Sequence, residues 1–149
     1  MAVKSRLINT LGSTILVDFP VLGLNKVPAK VDTGAASSSV WASSIDEEDG
    51  TLQYVLFDRL SPFYTGQKLS TRAFTYTPIR NSFGHTELRY KVRLQIIISG
   101  RTIRASFTLA DRAKNSSPVL IGRRTLRGKF LVDVSHPHKE TLKSASQRP

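Results

Sequence analysis

The chain has 149 residues, 40% of them hydrophobic and 22% charged, and contains no cysteine. That length and balance suit one folded domain with a substantial core, and the missing thiols exclude disulfides, thiolate zinc sites and cysteine catalysis. The formal net charge of +11 is unevenly spread, with five Lys/Arg against seven Asp/Glu in residues 1–67 and seventeen against four in residues 68–149, a bias that either draws anionic partners or simply solubilises a basic surface.

Residues 1–12 read as an N-terminal segment without the apolar centre of a signal peptide. Strand signals follow: "STILVDFPVL" (13–22) and "VPAKV" (27–31) are β-rich and separated by the turn-like "GLNK". "SSVWAS" is compatible with a helical turn, "DEEDG" (46–50) with an acidic loop, and "LQYVLF" (52–57) with a strand. "RLSPFYTGQKLS" reads as loop, "AFTYTPIR" (73–80) as strand and "NSFGH" (81–85) as a turn.

The clearest strand is "ELRYKVRLQIIIS" (87–99). Its Leu88, Tyr90, Val92, Leu94, Ile96 and Ile98 share one face, while Arg89, Lys91, Arg93 and Gln95 share the other, a period of two. "TIRASFTLA" (102–110) pairs back as a hairpin, "SPVLIG" (117–122) is a short apolar strand, "RRTL" a short helix and "KFLVDV" (129–134) a last strand. Residues 135–149 are polar and read as a flexible tail, which leaves one domain over 13–134. Many short strands and little helix predict an all-β barrel or sandwich. No apolar run reaches the eighteen residues that cross a bilayer, so a cytoplasmic protein without membrane contact is expected.

Several chemistries fail on spacing. "GRRTLRGKF" has five residues between its glycines and Phe130 where a phosphate loop needs Ser or Thr. There is no G-x-S-x-G elbow and no H-E-x-x-H. His136 and His138 stand two apart without a third ligand nearby, His85 sits in a turn, and Asp46, Glu47, Glu48 and Asp49 lack the spacing of a calcium loop. No metal or other cofactor is therefore expected.

Asp32 remains. It ends an apolar strand and is followed by Thr33 and Gly34, in "AKVDTGAASSSVWA". A carboxylate activates water for peptide hydrolysis when a second acid shares a proton with it, because two like charges at close range do not both ionise. By itself D-T-G after a strand is equally an ordinary turn, since Asp and Gly are common turn formers.

About ninety residues later the chain reads "PVLIGRRTL". Together "VDTGA" and "PVLIGRRTL" resemble the retropepsin-like aspartic peptidases, in which the first segment carries the catalytic Asp and the second passes behind it into a short helix. The resemblance implies a closed barrel with one lobe per chain, and a flap hairpin, here Thr77–Val92, over the substrate. The order "AKVDTGA", "NSFGHTELR", "FTLADR", "VLIGRRTLRGKFLVDV" is similar to a small bacterial family called ATP-dependent zinc proteases, often encoded beside ATP-grasp ligases that add glutamates to ribosomal protein S6. Such a ligase, or a ribosomal protein, is thus an implied partner. The residues themselves offer neither a metal-ligand set nor a nucleotide loop, so the chemistry reads as aspartic-type.

Carried onto this chain, the resemblance makes Asp32, Thr33 and Gly34 catalytic. Ala35, Arg80, Ser82, Gly84, His85, Arg89 and Arg123 become the expected substrate contacts. Retropepsins usually place an acid soon after D-T-G-A, where it pairs with the arginine after the late glycine. Here Ala36 and Ser37 stand there, so Arg123 is left to face substrate or another acid. One D-T-G per chain implies a homodimer with Asp32 paired across a two-fold axis. The arginines favour an acidic peptide or protein tail, such as poly-glutamate, as substrate. The rival reading is a basic β-barrel that binds RNA or the ribosome without catalysis, with Tyr54, Phe63, Tyr64, Phe74 and Tyr76 as stacking surfaces.

Overall fold

The structure is a computed structural model that describes residues 8–80, 83–115 and 117–136. Six strands close a barrel in the order β10 (Val119–Ile121), β3 (Leu24–Val31), β2 (Thr14–Phe19), β8 (Thr86–Ile98), β9 (Arg101–Ala110) and β4 (Ser38–Glu48), which returns to β10. Closure leaves no unpaired edge within the ring. The all-β barrel with one short helix, α1 (Arg123–Leu126), agrees with the sequence reading.

Turn chemistry sets the registers. Ile98 pairs with Arg101, so β8 and β9 are joined by the two residues Ser99 and Gly100, both at positive φ (49° and 75°). Such paired left-handed residues match the natural twist of a hairpin. Asp49 and Gly50 (51° and 76°) do the same between β4 and β5 (Thr51–Leu56).

Two local expectations are corrected here. "SSVWAS" is not helical but the start of β4, and "DEEDG" is the end of that strand plus its turn rather than a loop. Pairing explains both: Ser38–Trp41 lies parallel to Phe107–Ala110 on one side with Val40 against Val119 on the other, and Asp46–Glu48 pairs with Thr51–Gln53 of β5. Ladder bonds on both edges outweigh any local helical tendency. The loop expected over 59–70 also contains the beginning of β6 (Lys68–Thr71), which pairs with β5.

Along β8 the period of two holds, but burial does not. Val92, Leu94, Ile96 and Ile98 are buried, Tyr90 is half-buried and Leu88 is 49% exposed. The reason is topological. From Lys91 onward β8 pairs with β9 and belongs to the barrel, whereas Thr86–Tyr90 pairs only with β7 (Thr75–Arg80) and projects as a hairpin. Its base is tied down by Tyr90, which packs edge-on against Phe74 and Tyr76 and donates its hydroxyl to Glu47 (3.1 Å).

Inside the barrel Phe19, Phe57 and Phe107 form an aromatic centre, with ring centroids 5.9 and 6.2 Å from Phe19. Residues ahead of 13 also join the fold. β1 (Asn9–Leu11) pairs in parallel with β11 (Phe130–Val132), and Leu11 is fully buried. Ser135 and His136 are held too, the latter through its carbonyl, which accepts Ser13 N–H at 2.8 Å.

Candidate active site

Asp32 follows directly on β3, and the chain re-enters the barrel at Ser38. Between the two outgoing ends lies β10, parallel to β3 and antiparallel to β4. That inserted strand is what anchors the loop. Asp32 N–H donates to Ile121 C=O (2.9 Å), and Ala35 N–H returns to Asp32 C=O (3.2 Å). Gly34 N–H donates to Asp32 Oδ1 (3.0 Å), which fixes the carboxylate against its own turn. Asp32 is half-buried, while Thr33 and Gly34 are exposed at the tip.

Gly122 supports the loop from behind. A Cβ there would stand 2.5 Å from Ser37 O and 2.9 Å from Ala35 O, both backbone atoms. Only a residue without a side chain permits this approach. The same contact is hydrogen-bonded: Arg123 N–H reaches Ala35 C=O (2.8 Å) and Arg124 N–H reaches Ala36 C=O (3.1 Å). Ser38 Oγ accepts Gly122 N–H (3.0 Å) and shares a 2.6 Å bond with Thr125 Oγ1. Both hydroxyl side chains are buried, so each needs its partner. Neither stood out in the sequence; the available signal was the run of three serines, 37–39, directly before the apolar Val40 and Trp41.

Arg123 was expected to face substrate or an acid. Its guanidinium instead donates to Thr33 C=O (3.0 Å), bracing the tip of the aspartate loop. Ala35 lies beside it, half-buried, as an acceptor. Arg80 closes β7 opposite Thr86, Gly84 turns the hairpin tip at φ +82°, and His85 is exposed next to it. Ser82 lies outside the described residues. Arg89, at the base of the hairpin, is half-buried and approaches Glu87 at 3.9 Å, with its Nε buried and unpartnered.

A second arginine joins it that sequence reasoning had only quoted within "FTLADR". Arg112 is held by its Nε, which donates to Ser117 C=O (2.9 Å). Burial lowers its pKa, Arg89 lowers it further, and the Asp32 carboxylate acts in the opposite direction. Arg89, at the base of the hairpin, and the Asp32 carboxylate are therefore both in electrostatic reach of one half-buried guanidinium.

Other candidates disperse. His136 pairs with Asp133 (3.3 Å), and His138 lies outside the described residues. Among the described residues no three His, Cys, Asp or Glu side chains gather as a metal site, and no helix is long and apolar enough to cross a membrane. The aromatic set divides: Tyr54 is buried, Phe63 and Phe74 pack against the core, and only Tyr64 and Tyr76 are exposed. They do not form one stacking face.

Comparison with known proteins places this geometry. A family model described as "Retropepsin-like aspartic endopeptidase RimB" matches residues 17–141. The chain belongs to the RimB-like family. Curated relatives of this RimB-like chain include proteins named "Probable alpha-L-glutamate ligase". One from Parasynechococcus marenigrum is 29% identical over 86% of this chain, and one from Shewanella pealeana is 31% identical over 84%. The chain spans only 28% of the length of those two relatives. A solved structure, Lpg0085 of Legionella pneumophila, a protein of unknown function, matches with a TM-score of 0.63 at 21% identity, covering 87% of this chain and 96% of that one. At that identity the likeness is one of fold.

Proposed function

We propose that this RimB-like chain is an aspartic peptidase whose active form is a two-fold dimer, each copy supplying one Asp32. The observation that carries the proposal is the clamped aspartate loop: a half-buried Asp32 whose carboxylate accepts Gly34 N–H and whose main chain is bonded to Ile121, with Ala35 and Ser37 packed against Gly122. Rigid placement of this kind suits a group that must hold a water in line with a carbonyl. One Asp32 carboxylate takes a proton from water, whose oxygen attacks the scissile carbonyl carbon. The partner carboxyl, protonated, donates to the carbonyl oxygen; collapse of the tetrahedral intermediate expels the amine, which takes up a proton.

The surface near the tip supports a dimer. Leu126, Phe130, Leu131 and Val132 form the apolar part of a depression that Thr33, Arg123 and Arg127 also border, and Leu131 is 59% exposed. Ile8 and Val134 add exposed apolar area beside β1 and β11. A second copy of the same face would cover it and bring the two loops together. Arg112, which feels the Asp32 carboxylate, favours a substrate with acidic side chains, through charge-assisted hydrogen bonds. The ligase names of the longer relatives make a glutamate-rich tail, and a ligase that builds it, reasonable substrate and partner classes.

The test is Asp32→Asn in purified protein. Loss of hydrolysis of an acidic peptide, with fold and dimer retained, is the expected result. Hydrolysis that survives the substitution, or that a chelator abolishes, refutes the aspartic mechanism.

A further inference from the structure

Outside the aspartate loop, the strongest feature is a depression of about 260 Å³ between β8, β9 and α1. It is bordered by Lys91 and Arg93 from β8, Arg104 from β9, Arg124 from α1, and Lys129, with no acidic residue around it. Among the described residues the ion pairs are Arg89 with Glu87 and His136 with Asp133, so none of these five cations is neutralised by a described carboxylate. Five like charges around so small a volume repel one another and raise the local concentration of anions.

We propose that this depression is a second binding site for the same substrate, taking the carboxylates of an acidic peptide as it leaves the aspartate loop. The inference rests on the peptidase reading above. Its first support is position. Ser37, at the end of the catalytic loop, lines the depression, and Arg124 donates its N–H to Ala36 in that loop. Ser37 is five residues from Asp32, and five extended residues span at most about 17 Å. A peptide with its scissile bond at Asp32 thus reaches Ser37, on the border of the depression, within about five residues.

The second support is spacing. Lys91 and Arg93 share the outer face of β8, and Arg93 pairs with Ser106 while Arg104 pairs with Gln95. Alternate residues on a strand recur at about 6.8 Å, the interval at which an extended peptide presents every second side chain. Arginine forks and lysine ammonium groups at that interval match a row of carboxylates. No aromatic side chain borders the depression, so it lacks the platform on which single-stranded RNA stacks its bases.

The test measures anisotropy of a fluorescein-labelled hexaglutamate peptide with Asp32→Asn protein, so that hydrolysis does not intervene. Adding Arg93→Gln, Arg104→Gln and Lys129→Gln should weaken binding at least tenfold and flatten its salt dependence. A control with Arg59→Gln, Arg72→Gln and Lys114→Gln removes the same charge from exposed positions elsewhere and should change affinity less than threefold. With Asp32 intact, the depression variant should cleave a neutral peptide as wild type does, yet show a raised KM for an acidic-tailed one. Equal hexaglutamate affinity in variant and parent overturns the proposal, as does an equal loss in the control. Lost affinity for an oligouridylate of the same charge, with hexaglutamate binding kept, assigns the surface to nucleic acid instead. Should the wild type cleave no peptide while the binding difference stands, the peptidase reading fails and the anion site remains. If the triple variant fails to fold, Arg104→Glu alone should give the same direction of change.

Discussion

Substituting Gly122 by alanine probes the support of the aspartate loop with a single methyl group. The new Cβ would lie 2.5 Å from Ser37 O, 2.6 Å from Ser37 C and 2.9 Å from Ala35 O. Ordinary contact begins at 3.4 Å, so the closest pair falls short by about 0.9 Å. The obstacle is main chain on both sides, so no rotamer change relieves it. Either the loop over 35–37 moves outward by roughly 1 Å or β10 moves away from it. Both routes stretch the bonds from Arg123 N–H to Ala35, from Arg124 N–H to Ala36 and from Gly122 N–H to Ser38. Overpacking of this kind costs about 1–3 kcal/mol, or roughly 2–4 °C of Tm for each kcal/mol in a domain of this size. Displacing a catalytic group by about 1 Å lowers turnover on the order of a hundredfold. Thermal unfolding and cleavage of an acidic peptide, measured on the same preparation, should show a small fall in Tm beside a large fall in kcat. Wild-type values for both would refute the reasoning that Gly122 is required by the approach of the loop.

Ser38→Ala leaves the Gly122 N–H and the Thr125 hydroxyl without a partner in a buried place, so a loss of about 1–3 kcal/mol is expected by chemical denaturation. Adding Thr125→Val should cost less than the two single losses combined, because both touch one bond; additive losses would separate the two groups. Leu131→Asp, at a position 59% exposed in the single chain, should keep the wild-type far-UV circular dichroism, shift sedimentation to monomer and make activity rise steeply with protein concentration. A variant that stays dimeric and active would move the interface elsewhere. Burial raises the Tyr54 phenol from 10.0 to about 12. The folded state therefore holds this proton more tightly than the unfolded state, and the associated stability is complete below pH 10 and lost as pH rises towards 12. Tyr54→Phe should flatten that part of the stability–pH curve relative to wild type, and an unchanged slope would show that the phenol is not buried in solution.

The barrel strands were largely legible because their faces differ. Val92, Leu94, Ile96 and Ile98 alternate with charged residues, and burying one face of a pleated strand needs only that alternation. The segment 38–49 was misread because serines and acidic residues carry no such contrast. Its first half is a strand because β9 and β10, far away in sequence, flank Ser38–Trp41, and its acidic half because it pairs with β5 across the Asp49-Gly50 turn. Within the site, Asp32, Thr33 and Gly34 stood out as a contiguous motif. Arg123 also stood out, but its contact with Thr33 depends on how α1 packs behind the loop. Arg112 carried no local signal, since its electrostatic relation to Asp32 links residues eighty positions apart.

Sequence alone therefore determined the all-β class, the aspartate turn, the glycine that precedes a short helix and the basic bias of residues 68–149, because each is written in local pattern or composition. Only the tertiary structure decided what surrounds those features. The insertion of β10 between β3 and β4 turns a D-T-G sequence into a clamped carboxylate. The same closure sets Ser38 against Thr125 and Arg123 against Thr33, and collects five cations around one depression. These are contacts between residues roughly ten to ninety positions apart, and no local periodicity encodes them; the ring of hydrogen-bonded strands that closes the barrel does.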